Sequence, residues 1–106
     1  MSQFGTEFSD HFVIARYVDG AWQKPSFEPL APLPMHPAAH VFHYASTCFE
    51  GFKAYRWRDG HGRIFRLYDH VARMQKSAKS LRLPVPDRDL LAGMVIDLVS
   101  HQLADI

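Results

Sequence analysis

The sequence predicts an α+β domain in which short antiparallel strands come first and two amphipathic helices follow. Three observations point there. Runs of β-branched and aromatic residues, separated by Asp-Gly and Gly-rich turns, fill the first two-thirds of the chain. Apolar residues recur at helical spacing in the last third. The length, 106 residues, suits one hydrophobic core and not two.

The first ten residues carry no period and are expected to form a flexible N-terminus, so the domain is read over 11–106. From His11 the run His-Phe-Val-Ile-Ala-Arg-Tyr-Val favours a pleated strand near 11–18, and Ala-Trp-Gln-Lys a second near 21–24. Asp19-Gly20 between them is a hairpin signal, because both central turn residues need positive φ. Residues 25–37 hold five of the seven prolines: Pro25, Pro29, Pro32, Pro34 and Pro37. Lacking amide protons for a ladder, this segment is expected to be extended and irregular. Phe27, Leu30, Leu33 and Met35 mark it as a packed surface loop, since linkers are usually polar.

Residues 38–48 read equally as a short helix or a loop. A strand is expected from Phe49 to Arg58 and its return from Arg63 to Leu67, joined by the turn Arg58-Asp-Gly-His-Gly62. Asp69 is a suitable N-cap for a helix carrying Val71, Met74, Ala78 and Leu81 at intervals of 3, 4 and 3. Pro84 and Pro86 end it. Asp87 caps a second helix with Leu90, Leu91, Met94, Val95 and Leu98 on one face. The strands are thus expected to form an antiparallel meander. The last residues, His101 to Ile106, still favour helix and show no Gly or Pro stop, so the chain reads as either a fragment of something longer or a truncated gene product.

Charge and cysteine content narrow the function. Twelve Lys and Arg against eleven Asp and Glu leave a net charge of +1. That gives no support to a nucleic-acid partner or an anionic membrane surface, which need clustered positive charge. The single Cys48 excludes an internal disulfide and fits a reducing, cytoplasmic setting. MSQFGTEFSD is polar and acidic, unlike a secretory signal. No apolar run approaches the roughly twenty residues of a membrane span.

Few residues invite chemistry by type and spacing alone. On a helix, His36, His40 and His43 would share one face and could approach a zinc ion, but Pro37 weakens that helix and no acidic or thiol ligand completes the set. Surface or capping roles are the expectation for them. Cys48 with His43 could suggest a nucleophile and its base, yet sequence proximity supplies no orientation, and a buried structural thiol is expected. Glu50 and Asp59 read as exposed carboxylates. Arg73 falls in the second turn of the helix capped by Asp69, where its side chain leans toward the helix N-terminus. A guanidinium there, with nearby free amides, makes a corner suited to a phosphate, although arginines on exposed helical faces are usually just solvated.

The stretch Tyr44-Ala-Ser-Thr-Cys-Phe49-Glu50-Gly51-Phe-Lys-Ala-Tyr55-Arg resembles the N-terminal motif of branched-chain amino-acid aminotransferases, class IV (fold-type IV) pyridoxal-phosphate enzymes. Gly62-Arg-Ile-Phe65-Arg66-Leu, Asp69-His-Val-Ala-Arg73-Met74, Ser77-Ala78 and Leu83-Pro84 match the same family, as does the opening hairpin Tyr17-Val-Asp19-Gly20-Ala-Trp22. The resemblance covers about residues 11–100. It implies the family's N-terminal small domain, with Arg73 contacting the phosphate of pyridoxal 5'-phosphate. It further implies that Phe49 and Gly51 line the substrate side-chain pocket and that Tyr44 reaches the pocket of the neighbouring subunit of a homo-oligomer.

Apolar walls suit an aliphatic substrate side chain. The implied reaction transfers an amino group from leucine, isoleucine or valine to 2-oxoglutarate, so the partners are small amino acids and 2-oxo acids. Ala45 departs from the Gly or Ser of many relatives. The resemblance implies chains roughly three times as long, with the Schiff-base lysine in the large domain, and Lys24, Lys53, Lys76 and Lys79 do not match it. The 106 residues by themselves are therefore expected to be inactive, and to self-associate through apolar surface the large domain would cover. A D-amino-acid aminotransferase, an aminodeoxychorismate lyase and a non-catalytic binding module are the alternatives.

Overall fold

A computed structural model of the chain describes residues 8–103. Most of the expected flexible N-terminus, residues 1–7, lies outside the described residues, as do 104–106. The α+β class holds. The first unit is a long hairpin: β1 (His11–Ile14) and β2 (Tyr17–Val18) lead outward, β3 (Ala21–Trp22) and β4 (Ser26–Pro29) return. Asp19 and Gly20 make its two-residue loop with φ of 52° and 79°, the positive pair that an Asp-Gly turn supplies.

The expected strand over 11–18 is interrupted. Val18 faces Ala21 and Tyr17 faces Trp22, while Ile14 faces Ser26 and His11 faces Pro29. Two residues, Ala15 and Arg16, therefore stand opposite three, Gln23 to Pro25, which is a β-bulge. Pro25 sits in the bulge, where no ladder amide is required. The Gln23 amide bridges the gap by donating to the Arg16 carbonyl at 2.7 Å.

The proline segment departs from expectation in the same place, because Ser26–Pro29 is a strand paired with β1. Its anchor is Phe27, whose ring stacks between His11 (centroids 4.7 Å apart, planes 4°) and His101 (4.1 Å, 24°). Aromatic burial between two rings outweighs the local preference of the prolines on either side.

The ambiguous stretch before Cys48 resolves into a single helical turn, α1 (His40–His43). A second hairpin follows, β5 (Ala54–Arg56) against β6 (Gly62–Ile64), with Ala54 opposite Ile64. Both strands are shorter than the sequence suggests: residues 49–53 have no ladder partner among the described residues, and the return strand stops at Ile64. The strands pair antiparallel, in three two-stranded ladders rather than one continuous meander.

Helix α2 (Leu67–Ser80) begins two residues before the expected cap. Arg66 occupies the cap position in the left-handed region with no side-chain cap bond, and Asp69 instead lies in the first turn. A carboxylate there favours the positive helix end, and its Oδ2 accepts from Arg66 Nε at 2.6 Å. Helix α3 (Arg88–His101) starts where the sequence places it: the Asp87 carboxylate accepts from the amides of Asp89 and Leu90 at 3.1 and 3.4 Å.

The core lies where α2 crosses α3. Leu67 and Val71 of α2 meet Ala92 of α3, flanked by Ile64, Leu91 and Val95. Hairpin and helix close tightly at Gly62, where a Cβ would sit 3.0 Å from Leu103 Cδ1 and 3.4 Å from Val99 Cγ1. The core is small for the aromatic content. Phe42, Tyr44, Phe49, Tyr55, Trp57 and Phe65 all remain exposed.

Candidate functional site

Residues 46–51 run beside α2 without regular secondary structure. Ser46, Cys48 and Glu50 are half-buried toward the helix, while Thr47, Phe49 and Gly51 are exposed. This alternation has the period of two of a strand, although only Phe49 onward is expected to be one. Its inward contacts are side chains of α2 instead of a neighbouring strand. Cys48 Sγ donates to Met74 Sδ at 3.4 Å, and the expected buried thiol is half-buried.

Glu50 is the correction of most consequence. Expected to be exposed, its side chain retains 9% exposure. Oε1 pairs with His70 Nδ1 at 2.9 Å and lies 3.3 Å from Arg73 Nη1. His70 and Arg73, three residues apart on α2, share one helix face. The Phe52 ring stacks on His70 (centroids 5.0 Å, planes 23°) and covers it. A carboxylate withdrawn from water needs such partners, since its desolvation would otherwise go uncompensated.

Arg73 is anchored on one side and open on the other. Its side chain is 71% exposed, and Glu50 engages one of its nitrogens. A guanidinium carries five donors in a planar fork, so the outward edge can receive an anion such as a phosphate. The residue present therefore fits a phosphate-bearing cofactor.

Phe49 is 89% exposed, and its ring edges a groove of about 440 Å³ whose other wall includes Lys76, Ser77 and Ser80 of α2. Gly51 is exposed on the same side of the chain, and a Cβ there would meet nothing within 4 Å. Tyr44, 71% exposed, ends α1, and its ring meets His40 edge-on at 5.0 Å. Of the expected site residues only Arg73 touches Glu50; Phe49 and Gly51 flank Glu50 in the chain on its exposed side, and Tyr44 stands on a separate element.

The remaining candidates have local roles. His36 Nδ1 accepts from the Ala38 amide at 2.9 Å, and His43 Nε2 bonds the Pro37 carbonyl at 2.8 Å. These are turn-forming contacts. Asp59 is tied into the β5–β6 loop: the His61 amide donates to its Oδ1 at 2.9 Å, and Arg63 Nη2 lies 3.3 Å from its Oδ2. The backbone bond from His61 is the main reason its carboxyl titrates below the usual value, with the His61 side chain and Arg63 adding to it.

Relatives decide the family. A mouse protein named branched-chain-amino-acid aminotransferase, cytosolic, is 39% identical over 97 residues, which is 91% of this chain and 25% of the mouse protein. Branched-chain-amino-acid transaminase 1 of Bacillus subtilis is 36% identical over 97 residues, 91% of this chain and 27% of its own length. A Mycolicibacterium smegmatis branched-chain-amino-acid aminotransferase is 43% identical over 82 residues, 76% of this chain and 22% of its own. The chain belongs to the branched-chain-amino-acid aminotransferase family.

It spans about a quarter of the length of the curated relatives it matches. No protein-family model matches it. Among the described residues, no helix is long and apolar enough to cross a membrane.

In the sequence Glu50 reads as an exposed carboxylate, and His70 carries no role of its own. The signal for them was available: Glu50 alternates with Phe49 and Gly51 in one run, and His70 stands three residues before Arg73 on a helix. That the two faces meet depends on how the segment lies along α2, which spacing does not encode.

Proposed function

We propose that the chain is the N-terminal small domain of a pyridoxal-phosphate-dependent aminotransferase that moves the amino group of leucine, isoleucine or valine to 2-oxoglutarate. The observation that carries this reading is 36–43% identity, over 76–91% of the chain, to relatives named branched-chain-amino-acid aminotransferases or transaminases. When bound, pyridoxal phosphate supplies the electron sink that amino-group transfer requires. In this reading Arg73 holds the cofactor's phosphate, and its exposed guanidinium supports that role. Phe49 and Gly51 form part of the wall against the substrate's aliphatic side chain, where apolar contact selects for size and hydrophobicity. Tyr44 reaches the site of a neighbouring subunit in a homo-oligomer, and its exposure on a separate element supports that.

The Schiff-base lysine and the rest of the cofactor site belong to the three-quarters of the relatives outside the match. The 106 residues alone do not transaminate. The protein works in the cytoplasm on small molecules, without nucleic-acid or membrane partners.

The test is a donor panel on the full-length protein with 2-oxoglutarate as acceptor. Glutamate is expected from leucine, isoleucine and valine. Turnover confined to D-alanine or aminodeoxychorismate would move the chain to another branch, and absence of both turnover and cofactor absorbance would make it a binding module. Arg73→Ala removes charge-assisted hydrogen bonds worth about 1.5–3 kcal/mol, so cofactor affinity is expected to fall about 10- to 100-fold. Unchanged affinity refutes the assignment of Arg73.

A further inference from the structure

We infer that Glu50 is a positioning residue that holds the Arg73 guanidinium ready for a phosphate group, with His70 fixing Glu50 in turn. The inference rests on the assignment of Arg73 to the cofactor phosphate and adds how that arginine is oriented. The geometry is a chain of decreasing freedom. Phe52 covers the His70 ring, His70 Nδ1 holds Glu50 Oε1 at 2.9 Å, and the same oxygen lies 3.3 Å from Arg73 Nη1. The inner members are 19% and 9% exposed, whereas the Arg73 side chain is 71% exposed. A long arginine stem reaching into water would sample many rotamers. A fixed carboxylate at one nitrogen removes most of them before the ligand arrives.

Two effects of Glu50 oppose each other. Its negative charge lowers the local attraction for a phosphate, while its grip lowers the ordering cost of binding one. Glu50 sits at the inner nitrogen of the guanidinium, away from the edge left open for a phosphate, so the repulsion acts over the longer distance and is weak. Rotamer restriction carries no such distance dependence. Orientation therefore outweighs repulsion, and removing the carboxylate weakens phosphate binding.

The experiment measures pyridoxal-phosphate affinity of the full-length apoprotein by equilibrium dialysis, with circular dichroism confirming that each variant is folded. Glu50→Gln is expected to bind about five- to tenfold more weakly. In an Arg73→Ala background the same change should have no further effect, which a general structural role would not produce. His70→Asn keeps a donor where Nδ1 stands and should bind like the parent, whereas His70→Leu should match Glu50→Gln. If Glu50→Gln loses its fold, the His70 pair and its cycle with Arg73→Ala carry the same test.

Unchanged or tighter binding by Glu50→Gln, alongside weakened Arg73→Ala, overturns the positioning role and leaves the Arg73 assignment standing. So does a Glu50→Gln loss that persists undiminished in the Arg73→Ala background. Parent-like binding by Arg73→Ala sinks both.

Discussion

Val71→Ala tests the packing that sets α2, and with it His70 and Arg73, in place. Val71 is 4% exposed and sits between Leu67 and Ala92 at the crossing of α2 and α3. The substitution removes two methyl groups from a dry environment, a loss of about 1.6 kcal/mol at ~0.8 kcal/mol for each. Incomplete collapse around the gap adds to that loss. Alanine's better helix propensity returns about 0.5 kcal/mol. The loss wins, leaving a net destabilisation of about 1–2 kcal/mol. For a chain of this length that lowers the Tm by roughly 5–10 °C.

Thermal unfolding of the chain followed by circular dichroism at the helical band measures it. Ile96→Ala on α3 provides the comparison, since Ile96 is half exposed and should change stability by about 0.5 kcal/mol or less. A Tm for Val71→Ala within experimental error of the parent, or a larger loss for Ile96→Ala, would refute the placement of the core at this helix crossing.

Two further outcomes follow from the local structure. Asp87→Ala leaves the first amides of α3 without their acceptor and should cost about 1 kcal/mol, seen as a lower urea midpoint at unchanged slope. Asp87→Asn, which can still accept, should lie close to the parent. Asp59 has a carboxyl held below its ordinary 3.8, so the stability it contributes is present above that value and is lost as pH falls through the lower folded value. An NMR titration of the His61 amide should show a midpoint below 3.8. A midpoint at or above it contradicts the described loop geometry.

The Asp19-Gly20 hairpin and the Asp87-capped helix were both legible, because each depends on a backbone preference carried by two or three adjacent residues. The start of α2 was not. Asp69 has the right chemistry for a cap, but Arg66 takes that position, and the carboxylate serves the first turn instead. Strand β4 was hidden by its prolines, since the stacking that holds Phe27 comes from His11 and from His101, far along the chain.

The candidate site divides in the same way. Arg73 was proposed from its place in a helix and from a motif, and Phe49 and Gly51 from the same motif. Glu50 was misread as exposed, since its burial requires a segment of alternating residues to lie along one face of α2.

By itself the sequence determined the α+β class, the order of strands before helices, the turn and cap chemistry, and the family. All of these rest on near-neighbour preferences or on residue identity. Only the tertiary structure decided which residues share a face: the bulge that brings β4 against β1, the crossing that buries Val71, and the contact that withdraws Glu50 from water and sets Arg73 beside it. Those outcomes depend on side chains distant in the chain competing for the same buried volume, and no local pattern records who wins.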